Sequence, residues 1–519
     1  MITILMDRHS GTEQHNSSLY TVFNDLEMIL STKFELVKLP VIQGTNAVKR
    51  MQQWIIEHAK HCDLFIGSSS WAINALRDSG WNGKVIFMAL GSMPRGAVSL
   101  RNCSHNLYRD DVVWFTCAAD KEIYENLFCI KDSPQIVVIP FGVHTDVFYP
   151  LDEQLMKSIR KKYNFGDSDY IMLYSGRITI EKNVHGIIEA LAILVKMKFP
   201  IKLVLVGRIE DISFYEFKML GINIKKRIES LIKKHNLNDH IVFIDWVNQN
   251  QLNELFNIAN VIVNFSLHHD ENYGFSQVQA MAAGKPLIGT SWGGFKDYIV
   301  DKVTGYSIGT YVSNFGIRYD MPGLVIAIIE LFSNQNLRKK LGNNALHYIN
   351  NTLNFGIYTD KIISLVENTF VRKDSKVNYL RFTDFGFKFH KRFSQMEDGK
   401  MMSLHPQYDG FADEDYKQLI KPYTNHDSFI KKGSKYFIAI TGEIIGSYFV
   451  STDILYQFRY KLNLKQIKIL ESLNRYYGTS LNFTTNEELN ELTSLLQSGV
   501  IGKTSNGFEN LEVTHDPIK

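Results

Sequence analysis

The sequence is poor in cysteine, and the little it has excludes most cysteine chemistry. Its four cysteines, Cys62, Cys103, Cys117 and Cys129, make no Cys-x-x-Cys pair and match no common zinc spacing. They read as reduced thiols of a cytoplasmic protein, and no metal site is expected. No apolar run approaches the roughly 20 residues of a membrane span. The N-terminal apolar run has no charged leader, so it reads as a first core strand and not as a secretory signal. The formal net charge is only +3, too little to point to nucleic acid. There is no internal repeat and no low-complexity tract. Two nucleotide signatures are missing as well. The stretch Met6-Asp7-Arg8-His9-Ser10-Gly11 lacks the Gly-x-Gly-x-x-Gly turn of a nicotinamide enzyme. Gly91 and Gly96 have P-loop spacing, yet Ala97-Val98 stand where a Lys-Ser or Lys-Thr pair is required.

What is present suits a globular protein. Hydrophobic residues make up 45% and charged residues 21% of the 519, which supports a sizeable core. The length suggests two or three domains of roughly 100–200 residues each. The abundance of Ile, Asn and Lys is read as the codon bias of a bacterial genome of low GC content. Strands are expected at 2–6, 64–66, 85–88, 112–115 and 136–139, and again at 171–174, 203–206, 241–244, 261–264 and 287–289. Helical stretches separate most of them, the pattern of parallel sheets covered on both faces. The expected fold class is α/β with two Rossmann-like domains, over 1–165 and 166–350, joined near 150–169. A helix over 351–373 is expected to cross back to the first domain. Residues 374–519 differ in texture and read as a separate α+β or winged-helix-like module. Its strands are expected at 436–440 and 444–450, around Thr441-Gly442, and its helices at 464–477 and 487–498. If that module selects the partner on which the second domain acts, deleting residues 380–519 is expected to spare the second domain's own chemistry and to abolish its action on that partner; a dimerisation or stability module is the alternative.

The densest chemistry lies in Asp270-Glu271-Asn272-Tyr273-Gly274-Phe275-Ser276-Gln277-Val278-Gln279, which runs on to Gly284-Lys285-Pro286. A strand ends just before it, and a helix is expected from about Ser276 to Gly284, where glycine can cap it. That places free helix N–H groups at the carboxyl edge of a parallel sheet, where such sheets bind ligands and where phosphate is favoured. Glu271 stands just outside the helix, able to accept from sugar hydroxyls, and Gln279 lies one turn inside it. Gly176-Arg177 follows another strand, with Lys182 five residues beyond. Two cations at a strand end suit a diphosphate, Arg as a planar fork and Lys as a point charge. Gly293-Gly294 follows the strand at 287–289 and lets backbone approach a ligand closely. Trp246 suits either stacking on a base or filling the core. The lysine-rich helix over 224–235 reads as a solvated face, and Asp413-Glu414-Asp415 as a solvated loop.

In this order, these segments resemble glycosyltransferase family 4, a large retaining family with the GT-B fold. That family carries Pro-x-Gly-Val-Asp before the linker, here Pro140-Phe141-Gly142-Val143-His144. It continues with a Gly-Arg and a Lys, then two Glu eight positions apart running into Ala-Met-Ala-x-Gly-x-Pro, then a Gly-Gly turn. The resemblance is good over residues 130–310, weak before them and absent beyond about 374. It implies that Arg177 and Lys182 hold the diphosphate of a nucleotide sugar, assisted by Gly176 and by backbone amides at Gly274, Phe275 and Ser276. It further implies that Glu271 binds the donor sugar, and that Gln279 contacts the ribose where the family has its second Glu. No metal or cofactor is implied, only a UDP- or GDP-type sugar nucleotide as co-substrate. His144 replaces the family's Asp, and no His follows the strand at 85–88. His9 and Gly11 are acceptor-side candidates. The acceptor is left open among polysaccharide, lipid-linked sugar and peptide or protein, with nucleic acid excluded. Residues 374–519 are read as a site for a protein or peptide partner or for homo-oligomerisation. The location is cytoplasmic, with the inner membrane face as a peripheral alternative. A sugar phosphorylase of the same fold and a non-catalytic sugar-nucleotide scaffold are the rival functions.

Overall fold

The computed structural model describes residues 2–7, 18–40, 46–91, 99–210, 223–267, 271–314, 316–371, 380–388, 414–425, 435–440, 442–452, 458–473, 479–481 and 485–504. The chain divides into two compact units that exchange segments. The first comprises Met1–Val143, Asp270–Phe275 and Asn351–Gln395, and the second His144–His269, Ser276–Asn350 and Met396–Lys519.

The first unit is built on six parallel strands: β1 (Thr3–Met6), β2 (Glu35–Lys38), β3 (Leu64–Gly67), β4 (Lys84–Met88), β5 (Val112–Phe115) and β6 (Gln135–Val138), in the order β2-β1-β3-β4-β5-β6. β1, β3 and β5 are buried at every position, as expected of a parallel sheet with both faces covered. β2 is a strand that the apolar runs did not announce. It lies at the sheet edge, and Glu35 and Lys38 at its ends are exposed. The chain reverses direction across the sheet between β1 and β3. There the Asp7 carboxylate accepts the amides of Ser68 (3.1 Å) and Ser69 (3.0 Å), filling the start of the helix Ser70–Asp78. The helix Phe355–Val371 belongs to this unit. Val143 donates its amide to the Leu353 carbonyl (2.7 Å), Phe355 donates back to Val143 (2.9 Å), and Tyr358 is buried beside Trp114 and Phe141.

The second unit repeats the theme with a different order. Its strands are β7 (Tyr170–Ser175), β8 (Ile201–Val206), β9 (Ile241–Ile244), β10 (Val261–Asn264), β11 (Leu287–Thr290) and β12 (Gly305–Ile308), all parallel, in the order β12-β11-β10-β7-β8-β9. Counted from β7, this is the 3-2-1-4-5-6 order of the doubly wound dinucleotide fold, with its switch point between β7 and β10. The change of unit falls at Val143–His144, earlier than the expected linker near 150–169. Residues beyond it already pack on the second unit. Tyr149 and Leu151 donate their amides to Asn253 (3.3 Å) and Asn257 (2.8 Å). Asp152 caps the helix Glu153–Lys162, whose Arg160 donates to the Gly166, Asp169 and Ile258 carbonyls.

A hairpin of β13 (Thr310–Ser313) and β14 (Gly316–Tyr319) follows. The C-terminal region then adds β15 (Lys435–Ile438), β16 (Gly442–Ile445), β17 (Tyr448–Ser451), β18 (Arg459–Lys461), β19 (Thr479–Ser480) and β20 (Ile501–Thr504), with helices Leu464–Glu471 and Asn486–Ser498. Two expectations are corrected here. The single strand expected at 444–450 is the end of β16, a turn and most of β17, in the sheet β16-β17-β18, while β15 lies in the separate sheet β19-β15-β20. Nor does the region from β15 onward stand apart. Tyr436, Phe437, Leu492, Leu495 and Ile501 lie in one continuous hydrophobic core with Leu324, Ile328 and the β7–β8 strands. Polar contacts reinforce it. Tyr311 donates to the Ile501 carbonyl (2.6 Å), Arg318 to Gly499 (2.8 Å), and Thr504 to the Asp320 carboxylate (2.8 Å).

None of the four cysteines is in a disulfide. Burial pushes the Cys62 thiol up to about 11 and Cys103 to about 12, so both stay protonated. Among the described residues, no helix is long and apolar enough to cross a membrane, and no group of three or more His, Cys, Asp or Glu could hold a metal ion.

Candidate functional site

Several of the residues singled out from the sequence lie in the loops that follow β7, β9 and β10 of the second sheet. β7 ends at Ser175, and the chain leaves it through Gly176 at φ 147°. Beside it, Gly207 leaves β8 at φ 137°, and a Cβ there would lie 2.1 Å from the Gly176 carbonyl oxygen. The two glycines let the loops run side by side beyond the strands. Ile178 donates its amide to Arg208 (2.8 Å), and Glu210 donates to Ile178 (3.1 Å). This brace fixes Arg177 between them. Its backbone carbonyl accepts from the Tyr174 hydroxyl (2.7 Å), and its half-exposed guanidinium reaches Glu181 (3.5 Å) and Glu210 (3.4 Å). Glu181 is buried while Glu210 is partly exposed. The half-buried Lys182 comes next, before Asn183 opens the helix Val184–Lys196.

The loop after β10 meets this one. The Ser266 hydroxyl donates to the Glu181 carbonyl (3.4 Å), and Thr290 of β11 donates to Ser266 (2.8 Å). Further on, Glu271 is buried, and Gly274 at φ 82° turns the chain into the helix Phe275–Ala282. Ser276 and Gln279 are half-buried on that helix. Asn272 is held firmly in the first unit: its side-chain amide donates to the Gly91 carbonyl (2.7 Å), Thr116 (3.2 Å) and Asp120 (3.1 Å). The Phe275 ring stacks on Phe141 at 5.4 Å, so what Phe275 can offer a ligand is its backbone N–H.

Three further residues were not singled out from the sequence. Thr179, Asn183 and Gln277 are buried, and each has one side-chain polar atom without a hydrogen-bond partner among the described residues. Such atoms cost free energy unless water or a ligand meets them. No periodicity or motif marks them, because their meaning lies in burial alone.

Trp246 follows β9 and is half exposed, which removes the core-filling alternative. Its amide donates to Asp245 (2.6 Å), which also pairs with Arg208 (3.2 Å); these contacts hold the Asp245 carboxyl below its usual range. The Gly-Gly turn is more occupied than its sequence implies. The Gly293 amide donates to the Tyr423 carbonyl (3.0 Å), Trp292 stacks on Tyr423 at 5.3 Å, and Lys296 donates to the Pro422 and Thr424 carbonyls. Gly294, at φ −69°, caps the short helix Phe295–Tyr298. His9 and Gly11 lie outside the described residues.

Residues 156–348 match the family described as glycosyl transferases group 1. That group 1 segment contains β7 to β12 and every loop of the switch point. The chain is also 24% identical over 245 residues to the capsular polysaccharide biosynthesis glycosyltransferase CapM of Staphylococcus aureus, covering 46% of this chain and 57% of that one. It is 24% identical over 262 residues to mannosylfructose-phosphate synthase of Agrobacterium fabrum, covering 50% and 54%. The chain thus spans about half the length of the curated relatives it matches. Among solved structures, sucrose-phosphate synthase from Thermosynechococcus elongatus superposes with a TM-score of 0.56 at 17% identity, over 72% of this chain and 100% of that one. Anabaena HepE in complex with UDP-glucose gives 0.53 at 13% identity, over 71% and 100%. These neighbours establish the fold: GT-B, two Rossmann-like halves, with additional small sheets at the C-terminus.

Proposed function

We propose that this chain is a retaining glycosyltransferase of the hexosyl-transferring kind, taking its sugar from a nucleotide diphosphate without a metal ion. The observation that carries the reading is the pairing at the second switch point. Arg177 and Lys182 follow β7, and a helix start follows the neighbouring strand β10, inside the group 1 segment. Anions are favoured at such a place by cations, by free N–H groups and by the helix dipole together.

In this reading Arg177 and Lys182 neutralise the diphosphate as it departs, doing the electrostatic work that a divalent ion does elsewhere. Glu181 and Glu210 hold the guanidinium in place until the more highly charged diphosphate takes it over. Amides at Gly274–Ser276 complete the anion site, and Gly176 lets it come close. Glu271 accepts from hydroxyls of the donor sugar, and Gln279 exchanges hydrogen bonds with the ribose as a neutral group. Trp246 offers an exposed ring to the base. Gly293 and Gly294 contribute by shaping their loop. Retention follows if the acceptor hydroxyl attacks the face that the diphosphate leaves, with a phosphate oxygen taking its proton. A uridine donor is favoured by analogy with HepE, whose complex holds UDP-glucose. The acceptor is proposed to be a glycan, a lipid-linked sugar or a peptide.

A panel of UDP- and GDP-sugars tests this. One donor should stabilise the protein against heat and be hydrolysed slowly to free nucleotide in the absence of acceptor. Stabilisation without any turnover, with every acceptor class supplied, would make the chain a binding scaffold. No stabilisation by any donor would end the reading.

A further inference from the structure

We propose that the tip of the β16–β17 hairpin, together with the start of the helix Leu464–Glu471, docks this protein on an anionic bilayer surface. β16 and β17 are joined by the two-residue turn Gly446-Ser447, with Gly446 at φ 60°. Ile445 and Tyr448 flank the turn directly opposite each other, and Tyr448 faces Lys461 of β18. The Ser447 carbonyl accepts the Leu462 amide (2.8 Å), which brings Leu464 to the same end of the sheet. Ile445 is 58% exposed, Tyr448 41% and Leu464 79%.

The exposure is not that of a loose segment. On the opposite face of the sheet, Phe449 is buried, as are Leu462 and Leu470 close by, and all three join the core of the second unit. The hairpin is therefore anchored from within and apolar at its outer tip. Around that tip the charges are mostly positive. Lys461 lies beside Tyr448, Arg459 one row behind it, and Lys465 and Lys468 on the adjoining helix, against Glu443 on β16, Glu471 at the far end of that helix and Glu487, which pairs with Lys465. Aliphatic side chains that enter the headgroup boundary, a tyrosine at the polar interface and a rim of cations together fit an anionic membrane surface. A second copy of the chain fits less well, because a stable protein interface needs roughly 800 Å² from each partner, more than a two-residue turn and one helix start present. The docking does not depend on which sugar or acceptor the protein uses.

The test is co-sedimentation of the full chain with phosphatidylcholine vesicles, and with vesicles in which about a third of the lipid is anionic phosphatidylglycerol. The wild type should bind only the anionic vesicles, more weakly as salt is raised. Ile445→Ser combined with Tyr448→Ser and Leu464→Ser should lose binding at least about tenfold, while melting temperature and nucleotide-sugar binding stay unchanged. Should that variant fold poorly, Arg459→Glu with Lys461→Glu provides the second arm, with a loss of roughly fivefold or more per charge. The proposal is overturned if the wild type ignores anionic vesicles, or if either folded variant binds as the wild type does. It is also overturned if sedimentation velocity shows a dimer that the apolar variant dissociates.

Discussion

The two six-stranded sheets use the same architecture and treat their switch points in different ways. In the first, the helix that starts after β3 is already satisfied by a carboxylate of the chain itself, Asp7. In the second, the loop after β7 carries cations, and the helix after β10 starts from a glycine turn with no acidic residue in its first turn. At the first edge an internal carboxylate meets backbone amides; at the second, internal carboxylates Glu181 and Glu210 meet the Arg177 guanidinium, which the proposed diphosphate would take over.

The largest effect is expected at the C-terminus. Ending the chain before β15 removes Tyr436, Phe437, Leu492, Leu495 and Ile501 from the core they share with the second unit. At roughly 1.5–3 kcal/mol per buried apolar side chain, the burial lost with these five is comparable to the roughly 5–15 kcal/mol by which domains are stable. The truncated protein should show no cooperative thermal transition for the second unit and no nucleotide binding. A truncation that still binds donor would restore the detachable module read from the sequence.

Arg177→Ala leaves the fold intact and strikes the proposed chemistry. Turnover should fall by about a hundredfold or more, with Arg177→Lys recovering only part because the planar fork is lost. Unchanged turnover in the alanine variant would move the diphosphate site elsewhere.

Asp320 offers a pH-dependent test of the shared core. Burial pushes its carboxyl up to about 6, although the Gly323 amide and Thr504 hydroxyl pull the other way. Its folded value lies above its unfolded one, so folding favours the protonated form. That stabilisation is complete below about pH 4, is lost as pH rises through 6, and is absent at neutrality. Asp320→Asn keeps a capping acceptor without the charge. It should therefore be more stable than the wild type by about 2–3 kcal/mol at pH 7.5 and equal to it at pH 4, by denaturant titration. A difference that does not vary with pH would contradict this.

The smallest effect sharpens the contrast from the other side. Asp7→Ala should cost about 1–3 kcal/mol of stability in the first unit through two amides left without an acceptor, and should leave nucleotide affinity unchanged. Weakened nucleotide binding would mean that the first edge also serves the ligand.

The parallel strands were legible because a strand buried on both faces is a plain apolar run, as in Tyr170–Ser175 and Val261–Asn264. β2 was not, since a short edge strand with charged ends has no such run. The hairpin inside 444–450 was not legible either, because apolar residues lie on both sides of the short turn Gly446-Ser447 and the stretch reads as one run. At the site, Arg177 and Lys182 were visible as cations behind a strand. Trp246 could not be placed, because an indole serves a core or a surface equally well. The hold of Tyr423 on Gly293 was invisible, being a contact of the C-terminal region with a loop far away in sequence.

The most direct measurement is calorimetric titration of UDP and GDP into the wild type and into the Arg177→Ala, Lys182→Ala double variant. One nucleotide should bind the wild type, with affinity falling by at least about tenfold in a double variant that melts normally, as loss of two charge-assisted contacts requires. Equal affinity in the two proteins would show that the second switch point does not bind the diphosphate.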